Sequence, residues 1–255
     1  MKPVTSTIVH IPHASRTIPD DVRSSFCLRD RELEDELDRL TDHYTDEQFS
    51  IENDSVSVRR YPVSRYVADL ERFSDDNLEP MSKYGQGAVY VRTVDGGVLR
   101  RRCSVKDRAR LLNDYYWPHH RRLEAFTSQA LEASGSVLII DAHSFPSRPL
   151  PVDLDQHLER PDICIGTDGF HTPDSLVELL TQCFVEEDLS VSVNKPYAGT
   201  IVPLQYYGKD SRVKSVMIEI NRSLYLCDEP VDISKKEPEF SQLQNILKRI
   251  ITQAQ

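Results

Sequence analysis

Short apolar runs alternate with segments of helical periodicity along the whole chain, and this constrains the fold more than any other feature. Runs bounded by turn residues predict strands at Thr7–Ile11, Val56–Tyr61, Arg65–Leu70, Ala88–Val94, Val137–Asp141, Ile163–Gly166, Ser190–Val193 and Val213–Ile220. Helical spacing predicts helices over Asp30–Gln48, Val105–Leu131, Pro173–Glu186 and Glu239–Ala254. Leu33, Leu37, Leu40 and Tyr44 form the apolar face of the first, and Pro118 must kink or break the second. Strands and helices in alternation predict an α/β fold, a sheet covered by helices on both faces. With 255 residues, no internal repeat and no linker, one domain over 1–255 is expected. The two longest irregular stretches, 71–87 and 144–161, are expected to be active-site loops.

The net charge of −10, from 31 basic and 41 acidic residues, argues against nucleic-acid binding, which draws its affinity from cationic contacts to phosphate. The one basic run, Leu99-Arg100-Arg101-Arg102, reads as a solvated turn. No apolar run approaches the roughly 18 residues of a membrane span, and the N-terminus reads as a strand rather than a signal peptide. Five scattered cysteines with no Cys-x-x-Cys pair suit reduced thiols in a cytoplasm and make a cysteine zinc site an unfavoured reading.

Chemistry concentrates at strand ends, where open α/β sheets collect their ligands. Thr7–Ile11 is followed by Pro12 and His13, and the apolar run Val137–Ile140 leads into Asp141-Ala142-His143. Two histidines delivered at two such strand ends can meet, and neutral imidazole is a good ligand for zinc, which in catalytic sites takes three protein ligands and a water. Asp141 lies on the same side of its strand as His143 and is placed to accept the other ring proton of a metal-bound histidine. Glu219 interrupts the apolar strand Val216–Ile220. A buried carboxylate there either pairs with an arginine or serves as a general base tuned toward neutral pH.

The order Ile11-Pro12-His13-Ala14, Thr41-Asp42-His43-Tyr44-Thr45-Asp46, Ser64-Arg65-Tyr66-Val67-Ala68-Asp69-Leu70-Glu71-Arg72, Trp117-Pro118-His119-His120, Asp141-Ala142-His143-Ser144, Ile165-Gly166-Thr167 and Glu219-Ile220-Asn221-Arg222-Ser223-Leu224-Tyr225 resembles the N-formylglutamate amidohydrolase family from about residue 8 to about residue 226. That resemblance implies a zinc carboxypeptidase-like fold with a mixed, mostly parallel sheet between helices. It also implies cleavage of N-formyl-L-glutamate to formate and glutamate in histidine breakdown. It makes His13 and His143 metal ligands and Glu219 the general base. The carboxypeptidases draw their second ligand from a Glu three residues after the first His; Arg16 stands there and has no lone pair to offer. Asp42 and Asp46 match the family's paired acids, with Asp42 favoured as the third ligand and His43 a competitor. A continuous helix would put the two acids on one face. Glu71 departs from the family's usual Asn.

Two functions from different classes are compatible with these residues. The first is a zinc-dependent amidohydrolase for a small N-acylated acidic amino acid, with about one zinc per chain, other divalent metals being open. Its ligands would be His13, Asp42 and His143, and Arg65, Arg72 and Arg222 its clamps for substrate carboxylates. The second is a non-catalytic binding protein or sensor for an acidic metabolite, using the same arginines without metal. A serine hydrolase built on Ser144 or Ser15 is disfavoured, since the chain holds no Gly-x-Ser-x-Gly elbow.

Overall fold

The computed structural model describes residues 6–51, 53–100, 103–228 and 232–255. Arg101 and Arg102 of the basic run and the first five residues of the N-terminal segment lie outside them. Among the described residues, eight strands, β1 Thr7–Ile11, β2 Val56–Arg60, β3 Val137–Phe145, β4 Ile163–Gly166, β5 Val191–Val193, β6 Val213–Asn221, β7 Leu226–Asp228 and β8 Asp232–Lys235, are joined by seven α-helices. These are α1 Asp20–Arg23, α2 Asp30–Leu40, α3 Thr45–Gln48, α4 Val105–Leu111, α5 Trp117–Ser134, α6 Asp174–Val185 and α7 Glu239–Gln253. Six strands form one sheet in the order β2-β1-β3-β6-β4-β5, and β7 and β8 form a separate antiparallel pair. All neighbours in the large sheet are parallel except β4 and β6, so the sheet is mixed and mostly parallel, as expected.

Each face of the sheet carries its own apolar layer. Val9, Ile140, Val216 and Ile218 pack with α6 and α7 through Leu180, Phe184, Leu243 and Leu247. Ile8, Ile139 and Val213 pack on the other side with Leu123 and Leu131 of α5. Strands β3 and β6 are buried along nearly their whole length, which is why they read in sequence as apolar runs rather than alternations. Among the described residues no helix is long and apolar enough to cross a membrane.

Four expectations are corrected. The helix expected over Asp30–Gln48 is two helices, because Thr41 is extended (ψ 133°) and Tyr44 is left-handed (φ 59°). The break is held by tertiary hydrogen bonding: Asp42 N donates to His13 O at 3.0 Å and Thr45 Oγ1 donates to Asp42 O at 2.7 Å. Asp42 and Asp46 therefore do not share a helix face. Residues 65–70 form a buried irregular segment instead of a strand, tied by Val67 N to Ser64 O and by Asp69 N to Ala88 O. Residues 88–94 also lack a strand; one bridge, Arg92 to Val98, flanks the turn at Asp95-Gly96-Gly97. Finally, the described part of the basic run is not a solvated turn: Leu99 and Arg100 are buried, and Arg100 Nε donates to Tyr90 O at 2.9 Å. The disruption expected at Pro118 takes the form of a π-helical turn at Leu112–Tyr116 just before it, after which the helix runs on to Ser134. A π turn rearranges the hydrogen-bond ladder where proline has no N–H to contribute.

Candidate active site

The site forms where β1, β3 and β6 end on one edge of the sheet, with the α2–α3 break folded against it. Parallel pairing makes His143 of β3 the register partner of Glu219 on β6, so the two side chains stand side by side. The hydrogen bond from Asp42 N to His13 O brings the break to the residues after β1. His13, Asp42 and His143 are all buried, and one donor atom from each lies within 4.8 Å of the others. His143 Nδ1 is 3.1 Å from Asp42 Oδ2, and His13 Nδ1 is 3.8 Å from the same oxygen.

Both imidazoles turn their other nitrogen to a second buried carboxylate. His13 Nε2 donates to Asp69 Oδ1 at 3.0 Å. His143 Nε2 lies 3.1 Å from Asp141 Oδ1. Asp69 is itself held by Arg65, whose Nε and Nη2 donate at 3.1 and 2.8 Å, by Tyr90 Oη at 2.5 Å and by Glu71 N at 2.9 Å. Asp141 Oδ2 accepts from Ile201 N at 3.1 Å. Carboxylates behind imidazoles in this way fix ring orientation and raise basicity at the free nitrogen.

The titration behaviour follows from this crowding. Burial pushes His13 down to about 4, with Arg65 adding to the effect. Burial alone would raise Asp42, but the His143 hydrogen bond and the cationic neighbourhood hold it at about 2. His143 is shifted the other way: burial opposes its charge, yet Asp141, Asp42 and Glu219 surround it and raise it well above the ordinary histidine value. Burial, aided by Asp42, raises Glu219 to about 7 against the pull of His143.

These residues fit a divalent cation. His13 Nδ1 is buried with no hydrogen-bond partner, although it faces Asp42 and has Asp69 behind it. An orphaned buried imidazole nitrogen is costly unless something binds it. Two imidazoles and a carboxylate are a donor set that zinc accepts in open catalytic sites. Glu219 Oε2 is likewise buried and unpartnered beside them.

Residues 5–226 match the N-formylglutamate amidohydrolase family. The chain belongs to this amidohydrolase family. It is 27% identical to the N-formylglutamate deformylase of Pseudomonas putida over 251 residues, 96% of this chain and 90% of that protein. Its fold is similar to that of an N-formylglutamate amidohydrolase from Ralstonia eutropha JMP134, with a TM-score of 0.84 and 22% identity, covering 98% of this chain and 93% of that one. It also resembles the product Atu2144 of Agrobacterium tumefaciens, with a TM-score of 0.66 and 18% identity over 98% and 90% of the two chains.

Among the motif residues, His13, Asp42, Asp69, Asp141, His143 and Glu219 gather at this edge of the sheet, whereas Ile165-Gly166-Thr167 runs toward the opposite edge, with Gly166 beside Met217. Of the acids at 41–46, Asp42 reaches the histidines, whereas Asp46 sits on α3 with its backbone oxygen accepting from Arg60. His43 turns away, its Nε2 2.9 Å from Asp38 O. Arg16 lies outside, paired with Glu34 and Asp38. Arg65 and Arg72 keep 14% and 26% of their side chains exposed, both near Asp69. Arg222 is only 2% exposed; it donates to Ser144 Oγ, Ser144 O and Arg39 O and lies 3.6 Å from Asp42 Oδ1.

Two features were not legible as parts of the site. Asp69 and Tyr90 were hidden by strand readings of their segments. On another side of the site, buried Arg160 donates to Tyr197 Oη and Asp153 Oδ2, both at 3.2 Å, which ties the 144–161 loop to the segment after β5. A separate cavity of about 920 Å³, lined by Arg59, Tyr61, His119 and Arg122 among others, includes none of the residues of the His13 cluster.

Proposed function

We propose that this chain hydrolyses the amide of a small N-acylated acidic amino acid, N-formyl-L-glutamate, releasing formate and L-glutamate in a reaction that depends on a divalent metal such as zinc. Membership of the amidohydrolase family and the name of the Pseudomonas putida relative support the substrate. The observation that carries the reading is the convergence of His13, Asp42 and His143 on one point with the unpartnered Glu219 carboxyl beside it.

His13, Asp42 and His143 would hold the cation, which when bound polarises the scissile carbonyl and acidifies the attacking water. Asp69 and Asp141 keep the two imidazoles oriented, so the first sphere is positioned before substrate arrives. Glu219, held near neutral pH by burial, takes a proton from water as the C–O bond forms and returns it to the amine nitrogen as the C–N bond breaks. Arg72, with about a quarter of its side chain exposed and its Nε unpartnered, pairs with a substrate carboxylate through its guanidinium fork, and Arg65, whose Nε and Nη2 are engaged by Asp69, adds positive charge beside it. Arg222, enclosed behind Asp42, holds that ligand's carboxylate and the end of β3 in place. Incubating metal-loaded protein with N-formyl-L-glutamate and measuring formate tests the reading; absence of formate with the metal bound would discard the substrate.

A further inference from the structure

A second cluster, with two of its three side chains buried and the third, Glu71, 18% exposed, lies next to the first. His10 of β1, Glu71 after the Asp69 turn and Asp141 of β3 each offer a ligand atom, and these atoms lie within 4.8 Å of one another. His10 Nδ1 is 2.8 Å from Asp141 Oδ1 and 3.5 Å from Glu71 Oε1. His10 and Asp141 are fully enclosed, and Glu71 Oε1 is shielded from solvent with no hydrogen-bond partner. Two carboxyl groups thus converge on one imidazole away from water, although buried charge requires compensation. Arg72 is the nearby guanidinium, and its Nε lies 3.9 Å from Asp69 and donates no hydrogen bond.

The outer partner that a ligating imidazole needs is already in place. His10 Nε2 lies 2.8 Å from His119 Nε2. His10 Nδ1 hydrogen-bonds Asp141 Oδ1 at 2.8 Å; with the ring proton on Nε2 and donated to His119, Nδ1 can face a cation shared with Asp141 in place of that hydrogen bond. One imidazole and two carboxylates form a borderline-to-hard set suited to manganese or zinc rather than to soft ions.

We propose that His10, Glu71 and Asp141 form a second divalent-cation site, joined to the first through Asp141, whose Oδ1 also lies 3.1 Å from His143 Nε2. A cation there would offset the two carboxylates and fix Asp141, and through it the His143 ring. The site stands on its own donors, independent of the role given to His13 and Asp42.

Metal content decides it. The full chain is stripped with chelator, reloaded separately with Zn²⁺ and Mn²⁺, desalted and analysed for ions per chain, with circular dichroism as the check on folding. Two ions per chain are expected for the unaltered protein and one for Glu71→Gln. His10→Asn provides the same test should Glu71→Gln fold poorly. Asp42→Asn should also retain one ion, and that ion should disappear in the Asp42→Asn, Glu71→Gln double variant. A stoichiometry that neither Glu71→Gln nor His10→Asn changes overturns the proposal. If Asp42→Asn loses no metal while Glu71→Gln loses all of it, the second site stands and the first fails.

Discussion

The rings of His13 and His143 lie with centroids 5.0 Å apart and planes at 55°, each directing Nδ1 toward Asp42 and Nε2 toward a different buried carboxylate. The arrangement makes the outer carboxylates part of the candidate metal centre. Asp69→Asn keeps the shape but removes the charge behind His13. Metal affinity should fall about 10–100-fold, measured by competition with a chromophoric chelator. The melting temperature should fall as well, because Arg65 loses a buried ion-pair partner. Unchanged affinity would detach Asp69 from the centre.

Glu219→Gln preserves size and hydrogen bonding but removes the basic oxygen. Turnover should fall at least ~10²-fold, the low end of what general acid–base catalysis supplies. Metal content should stay at the wild-type level, because Glu219 is not assigned as a ligand. Normal turnover in a folded, metal-loaded variant would remove Glu219 from the mechanism.

The same substitution has a pH-dependent effect on stability. Glu219 moves from its ordinary 4.5 to about 7 on folding, so the folded state holds the proton more tightly than the unfolded chain. The stability this contributes is complete below about 4.5 and is lost as pH rises to about 7. The ionised carboxylate then costs roughly 3 kcal/mol at about 1.4 kcal/mol per pH unit. In chelator-treated protein, Glu219→Gln should therefore match the wild type near pH 4.5 and melt at a higher temperature at about pH 8, above the folded value. Parallel melting curves across that range would mean that Glu219 is not held near neutrality.

Arg72 has its Nε buried without a hydrogen-bond partner and keeps about a quarter of its side chain exposed. Lysine retains the charge but loses the fork. Arg72→Lys should raise KM for N-formyl-L-glutamate about tenfold while kcat stays within about twofold, the pattern of lost uniform binding. Unaltered KM would assign Arg72 to structure.

Much of this site was legible because strand ends leave strong marks. Val137–Ile140 reads as a doubly covered strand, and Asp141 and His143, immediately beyond that run, lie at the edge where ligands collect. The role of Asp141 behind His143 came from the two-residue period of a strand. The break before α3 was not legible, because Leu33, Leu37, Leu40 and Tyr44 keep helical spacing straight through it. The local preference is overridden by a hydrogen bond from Asp42 N to His13 O, between residues 29 positions apart. Asp69 was hidden for a related reason: Tyr66, Val67, Ala68 and Leu70 are all buried in an irregular segment, and such a run cannot be told from a strand by pattern alone. His10 faces the α5 side of the sheet, where its partners Glu71 and His119 arrive from distant parts of the chain that spacing does not connect.

Metal-dependent deformylation is tested most directly by one measurement: formate released from N-formyl-L-glutamate by the chain with its metal bound, and again after the metal is chelated away. Formate and glutamate in equal amounts are expected from the loaded protein, with loss of turnover on chelation and recovery when zinc is restored. Binding of N-formyl-L-glutamate with no formate released by the zinc-loaded chain, or full turnover after chelation, would contradict metal-dependent deformylation.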